Sequence, residues 1–320
     1  MRALKAFIFL WWEVQTMSDL LIAGLYRYLK RPLTYVCCAV SLICGIIYVI
    51  SSVDVSYDGT HISFNPDDIF FIISILANII LCILSIGTEF SSGVIRNKIT
   101  SGYKKPVVFI SEVIITALIS TIMFCLTTIP FVVYHISYFQ KMAHLGLSLL
   151  LMFTAYISIS VMIVFICFIT TNRTISAIIG ILLAFGLYFL SYSTTHMLKA
   201  PQFFTHYYLK NNESMTVEGT LTDISDEDDI VKIVQEKNPS YIGGIPRKIV
   251  TVINDCVPYT SISSFMTYCC YTNDSITIDE RHEYEEEHHP EMLRHEASMC
   301  IVLSLIVIGG ALIFKKKNLK

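Results

Sequence analysis

Apolar residues fill six long runs of this chain, at 33–53, 69–87, 107–134, 145–171, 174–195 and 297–314. A helix crosses the hydrocarbon of a bilayer in about 20 predominantly apolar residues, so six transmembrane helices are predicted. Only one of the runs holds a charged residue, Glu112. The third and fourth are overlong, which predicts tilt, a kink at Pro130 or extension beyond the membrane. The expected fold class is an all-α polytopic membrane protein.

The polar stretches between the runs divide the chain further. Ahead of the first run, Ser18 can cap a helix and Asp19 suits its positive end, while Leu21, Leu25, Tyr28 and Leu29 share a face. Arg27, Lys30 and Arg31 gather near its C-terminus, where the helix dipole and anionic lipid both favour cations. Pro32 then breaks it. Residues 1–32 are thus expected to hold an amphipathic helix lying along the membrane surface. The first 16 residues, MRALKAFIFLWWEVQT, imitate a signal peptide without a small-residue cleavage site. Trp11 and Trp12 suit the headgroup level; a translation start at Met17 is the alternative reading.

Residues 33–195 carry five spans with a basic loop at 88–106. Residues 196–296 form a domain outside the membrane, and 297–320 the sixth span and its tail KKKNLK. Within the long domain 226–237 reads helix-like, Asn238-Pro239 is a turn, and IVTVIND reads as strand or helix. A small α+β or helical domain is expected there.

Composition agrees with the pattern and charge orients it. Apolar side chains make up 54% of the 320 residues and charged ones 15%, against about 25% charged in soluble domains. Mean hydropathy is +0.60. One set of loops and both termini carry 14 basic residues against three acids, and the other set carries nine against 22. Basic loops stay inside, so a plasma-membrane protein with cytoplasmic N- and C-termini is expected. The 196–296 segment holds 18 acids and eight basic residues, a charge that suits a cationic partner. No nucleic-acid partner is expected.

Candidate chemistry is sparse. HEYEEEHHPEMLRHE, at 282–296, has zinc- or nickel-type ligands, with His288, His289, Glu291 and His295 the candidates. Its spacing misses the H-E-x-x-H geometry, so a solvated acidic stalk is the better reading. DISDEDD lacks the glycine and terminal glutamate of a calcium loop. Asn212 and Asn273 open glycosylation sequons. Seven cysteines lie in spans; of the three outside, Cys256 could pair with Cys269 or Cys270, and both pairings stay open. Glu112 is expected to pair with Lys104 or Lys105, or to face the interior of a helix bundle. No G-x-x-x-x-G-K-[ST] loop, serine nucleophile or paired-cysteine motif occurs, so the chain is not expected to be an enzyme.

The loop TEFSSGVIRNKITSGYKKP, at 88–106, is longer than a turn between spans requires. Gly93 and Gly102 bracket a short helix, Phe90 and Val94 begin an apolar face, and Arg96 and Lys98 lie off it. Gly102 suits a C-cap and Pro106 the start of the next span. A short helix with an apolar face outside the membrane wants a protein partner.

The phrase EFSSGVIRNK, at 89–98, resembles the E-F-x-x-G-T-I-R-N-K that follows the second span in membrane subunits of ATP-binding cassette exporters of the ABC-2 type, with Val94 in place of Thr. ITSGYKKP and the ending GGALIFKKKNLK are similar to that family's following turn and closing. The resemblance covers most of the membrane part, but neither the first 16 residues nor the long domain. It implies two permease subunits, identical or paralogous, around a central pathway. Each would dock on a separate ATPase subunit that binds ATP and Mg; this chain needs no cofactor. It implies that residues 89–101 couple to the ATPase, with Glu89, Arg96 and Lys98 in charged contacts and Phe90 and Ile95 in apolar ones. Gly93, Asn97, Gly102 and Tyr103 complete the coupling loop. Relatives export, or protect against, antimicrobial peptides, so a peptide or antibiotic is the expected substrate. The alternatives are a membrane sensor whose acidic outer domain binds a ligand, and a metal transporter using the histidine–glutamate stalk.

Overall fold

A computed structural model describes residues 17–51, 53–55, 62–64, 69–134, 145–209, 214–217, 230–262, 264 and 278–317. Its elements in order are α1 (17–29), α2 (Pro32–Ser51), a hairpin of β1 (Val53–Val55) and β2 (Ile62–Phe64), α3 (Ile69–Ser91), α4 (Val94–Thr100), α5 (Lys105–Tyr134), α6 (Leu145–Thr170) and α7 (Arg173–Lys199). There follow β3 (Phe203–Leu209), β4 (Ser214–Val217), β5 (Ile230–Lys237), α8 (Gly244–Cys256), a short α9 (258–262) and the long α10 (Ile278–Lys316). Among the described residues six helices, α2, α3, α5, α6, α7 and most of α10, are long and apolar enough to cross a membrane. This is the architecture of a multi-pass membrane protein.

The spans form one bundle. α2 packs on α3 and α5, α6 on α3 and α5, α7 on α3 and α6, and α10 on α5 and α6. Among the spans, α3 and α5 are the most enclosed, and α7 and α10 leave most of their surface outward. At one end Phe168 of α6 makes edge-on contacts with Phe90 (5.1 Å), Phe109 (5.1 Å) and Phe314 (4.7 Å), tying α3, α5, α6 and α10 together. This end also carries α4 and Lys315–Lys317 and is the basic end of the bundle. At the other end Tyr48 packs on Phe71 and Phe131, joining α2, α3 and α5.

Local sequence explains the joints. α1 ends before Pro32, which occupies the first turn of α2, where its missing N–H costs nothing. The α6–α7 connection is only Thr171 and Asn172, and the Asn172 side chain accepts from the N–H groups of Thr174 (2.9 Å) and Ile175 (3.2 Å). α5 runs 30 residues through Pro130, roughly 45 Å at 1.5 Å per residue, so the overlong third run is met by extension of one helix.

Three expectations change. The inward face of α1 is Leu20, Gly24 and Tyr28, with Leu21 and Leu25 only partly buried and Leu29 exposed. The helix packs on the bundle through this rotated face because Gly24 lets it approach Ile115 of α5. The 230–237 part of the helix-like stretch is strand β5, paired antiparallel with β3 from Phe203↔Lys237 to Leu209↔Ile230. β4 flanks β3 on the other side, so the long domain is α+β. Ile230, Val231, Ile233 and Val234 are β-branched and favour the pleated conformation. The sixth helix also begins earlier than its apolar run, at Ile278.

Candidate functional site

The interior of the bundle is crossed by a polar seam. On α3, Ser74, Asn78, Cys82, Ser85 and Glu89 recur at helical spacing, and all are buried. On α5, Glu112, Thr116, Ser120 and Thr127 do the same. The two stripes face each other antiparallel. Ser74 and Thr127 meet at 2.6 Å, and Asn78 donates to Ser120 at 3.1 Å. Other spans join: Ser41 of α2 lies 3.1 Å and Tyr156 of α6 3.0 Å from the Ser74 hydroxyl, and Asn78 donates to Ser160 of α6 at 2.7 Å. Buried polar groups persist when their hydrogen bonds are made internally. Four helices supply them for Ser74, Asn78, Ser120 and Thr127, while the Ser85 and Thr116 hydroxyls have no hydrogen-bond partner among the described residues.

At the basic end the seam becomes charged. Lys98 Nζ on α4 donates to Glu89 Oε2 of α3 at 3.0 Å and to Glu112 Oε1 of α5 at 2.5 Å. Arg27 of α1 donates to Glu89 Oε1 at 3.0 Å, and Arg31 approaches the same oxygen at 4.0 Å. One buried lysine therefore bridges two buried carboxylates from two spans, and α1 closes the cluster from the side. Burial and the nearby Glu112 carboxylate hold the Tyr28 phenol well above its usual range, so it stays protonated.

Backbone geometry sets α4 at this position. Gly93 has φ of 74° and Gly102 of 98°, a left-handed conformation that side chains disfavour. Gly93 ends α3, its N–H bonding Phe90 O, and its own carbonyl accepts the first bond of α4 from Asn97. At the other end Gly102 N–H bonds Ile99 O and Tyr103 N–H bonds Lys98 O, the paired bonds of a Schellman cap. Two tight turns thus isolate a seven-residue helix. Its inner side is Ile95 and Lys98, and its outer side Arg96, Asn97 and Thr100.

The structure divides the residues singled out for coupling. Glu89, Ile95 and Lys98 turn into the bundle, and Phe90 packs on Phe168. Only Arg96, Asn97 and Gly102 of that set are exposed, while Gly93 and Tyr103 are half-buried. Lys98 lies on the apolar side of α4, since 95, 98 and 99 share a face. Glu112 does face the bundle interior, but its partner is Lys98; Lys105 Nζ instead donates to the carbonyl of Lys317 at 2.6 Å. What the residue pattern did contain, and what identifies the seam, is the spacing 74-78-82-85-89 against 112-116-120-127.

At the opposite end the other candidates separate. His295 is buried, with Nδ1 3.2 Å from Asp255 Oδ1, and Asp255 also accepts from Arg294 Nε at 2.6 Å. Glu291 is exposed and His289 half-buried; the His288 side chain lies outside the described residues. Among the described residues no three ligands gather for a metal. Cys256 is free among the described residues, its thiol pushed up by burial and by Asp255. Cys269, Cys270, the calcium-like run and both sequon asparagines lie outside the described residues. A cleft of about 280 Å³ opens between α3, α7 and α9, with Ile72, Tyr188, Tyr259 and Ile262 on its walls and His196 and Lys199 among its polar lining.

No family model, curated protein or solved structure matches the chain.

Proposed function

We propose that this chain is the permease subunit of an ATP-binding cassette exporter of the ABC-2 type, working as a pair of identical or paralogous permeases on separate ATPase subunits. The observation that carries the reading is α4. It is a short helix set off by two left-handed glycines, exposing Arg96 and Asn97 outward while Lys98 holds Glu89 and Glu112 of two spans. An ATPase that binds the outer side and closes on ATP would pull on α3 and α5 together through Lys98. Arg96, Asn97 and Gly102 make the docking contacts; Glu89, Ile95 and Lys98 transmit them. The basic end then faces the cytoplasm with both termini, in agreement with its excess of lysine and arginine, and the plasma membrane is the expected location.

ATP and Mg belong to the partner subunit, because this chain lacks a phosphate-binding loop. The acidic 196–296 segment favours a cationic peptide or antibiotic as the exported species. The same acidic domain supports a second reading, a membrane sensor that binds a ligand outside. Gentle affinity purification from native membranes separates the two. An ATP-binding subunit in stoichiometric amount is expected, with a second permease if the pair is mixed. Its absence across several mild detergents would overturn the exporter reading and leave the sensor.

A further inference from the structure

α8 is an amphipathic helix mounted inside out. Its polar residues face the protein. Arg247 Nη2 donates to Leu198 O of α7 at 2.8 Å, and Thr194 and Thr195 of α7 donate to Asn254 Oδ1 at 2.7 and 3.2 Å. Asp255 holds Arg294 of α10. Its apolar residues Ile245, Ile249, Val252 and Ile253, at helical spacing, are 74%, 55%, 62% and 38% exposed. Lys248 is the one charge in that stripe. In water such a face would be turned inward.

The level at which α8 sits says what covers it. Along the chain its partners step down α7, from Leu198 at Arg247 to Thr194 at Asn254. The turn beyond goes further, with Thr260 3.1 Å from Ser191 and the Tyr259 ring 5.8 Å from that of Tyr188. From Leu198 to Tyr188 is ten helical residues, or roughly 15 Å. Thr194 and Thr195 are the last residues of an apolar run, so α8 lies at the membrane boundary and the following turn lies within the span. That turn is enclosed: Val257, Tyr259, Thr260, Ser261 and Ile262 are all buried, as backbone at membrane depth must be. At the same level of α7, Phe189 and Tyr192 are exposed as well.

We infer that α8 is an interfacial helix whose Ile245–Ile249–Val252–Ile253 stripe lies among the acyl chains of the leaflet opposite the basic end, with Lys248 at the phosphate level and the 257–262 turn re-entering the bilayer. Basic residues on such helices sit at the headgroups while the apolar side is buried about 5–10 Å deep. The bilayer covers this face whether or not the chain couples to an ATPase.

The test uses the full chain in lipid nanodiscs holding one copy, with Trp11→Phe and Trp12→Phe removing the only two tryptophans. Ile249→Trp and, separately, Val252→Trp place a reporter on exposed positions, with Leu182→Trp on the outward side of α7 as the lipid-facing control. Lipids brominated near the top of the acyl chain should remove about half of the emission at either α8 position, comparable to the control, and acrylamide should remove little. Quenching by acrylamide with none by bromolipid would place the stripe in water. Quenching by neither would place it against protein. Either result overturns the inference.

Discussion

Lys98 and Glu112 meet at 2.5 Å inside the bundle, an ion pair that fastens α4 to the middle of the span sequence. Both side chains are buried, and Glu89 on the other side of Lys98 is too. Removing the lysine strands Glu112 close to a second carboxylate, Glu89. Breaking one partner of a buried pair costs about 3–5 kcal/mol, whereas replacing both by apolar or neutral groups is close to neutral. Lys98→Met should therefore lower the thermal stability of the detergent-solubilised chain strongly, and adding Glu112→Gln should recover most of the loss. Glu89 keeps Arg27 in the double variant. A single variant as stable as the wild type would show that the pair does not hold α4 in place.

Arg96 has the opposite placement. It is exposed on the outer side of α4, and exposed substitutions usually change stability by less than about 0.5 kcal/mol. Arg96→Glu should leave insertion and melting unchanged while weakening co-purification of the ATPase by about tenfold or more, about 1.4 kcal/mol. Unchanged association and unchanged transport-linked ATP hydrolysis would count against docking on this helix.

The contrast between these two cations shows where the sequence could be read and where it could not. Spans were legible because about 20 apolar residues in a row, almost without charge, suit little except a bilayer, and all six reappear as helices. The breakers of α4 were legible because glycine has a conformational reason to sit there. The direction of Lys98 was not. A seven-residue helix makes only two turns, so its pattern does not say which side meets the bundle, and the deciding partner Glu112 is 14 positions away. Ser74, Asn78, Cys82, Ser85 and Glu89 formed a readable stripe, but serine and cysteine in an apolar run pass for small core residues until a facing stripe is identified. Ile230–Lys237 failed for a different reason. Its strand state depends on pairing with β3, a contact that local residue pattern does not express.

The glycines of the α4 turns give a cleaner backbone test. Gly93 and Gly102 have positive φ, and among the described residues no heavy atom beyond the adjoining residues lies within 4 Å of where a Cβ would be placed. Alanine there meets no steric clash with neighbours, so the cost is the left-handed conformation alone, about 1–2 kcal/mol each. Asparagine tolerates that region better, and Gly102→Asn should cost less than Gly102→Ala. Equal losses for the two substitutions would mean that something other than backbone conformation is disturbed. Melting of the purified variants reads the order.

Asn78 is the central knot of the uncharged seam. Its amide donates to Ser120 and Ser160, and its Oδ1 accepts from Ser120 at 3.2 Å and from the Cys82 thiol at 3.7 Å. A hydrogen bond between membrane helices is worth only about 0.6 kcal/mol on average and about 1.7 at most, since the separated helices find other partners. Ser160 already has one, because its hydroxyl also donates to Tyr156 O at 3.0 Å. A double-mutant cycle with Asn78→Ala and Ser160→Ala should thus give a coupling of about 0.6–1.7 kcal/mol, measured by unfolding in bicelles. Coupling near zero would mean that Ser160 is satisfied by its own helix and that its bond to Asn78 adds no glue between α3 and α6. The Ser74–Tyr156 pair would then be left as the polar tie between those helices, and Asn78 would owe its place to Ser120 of α5.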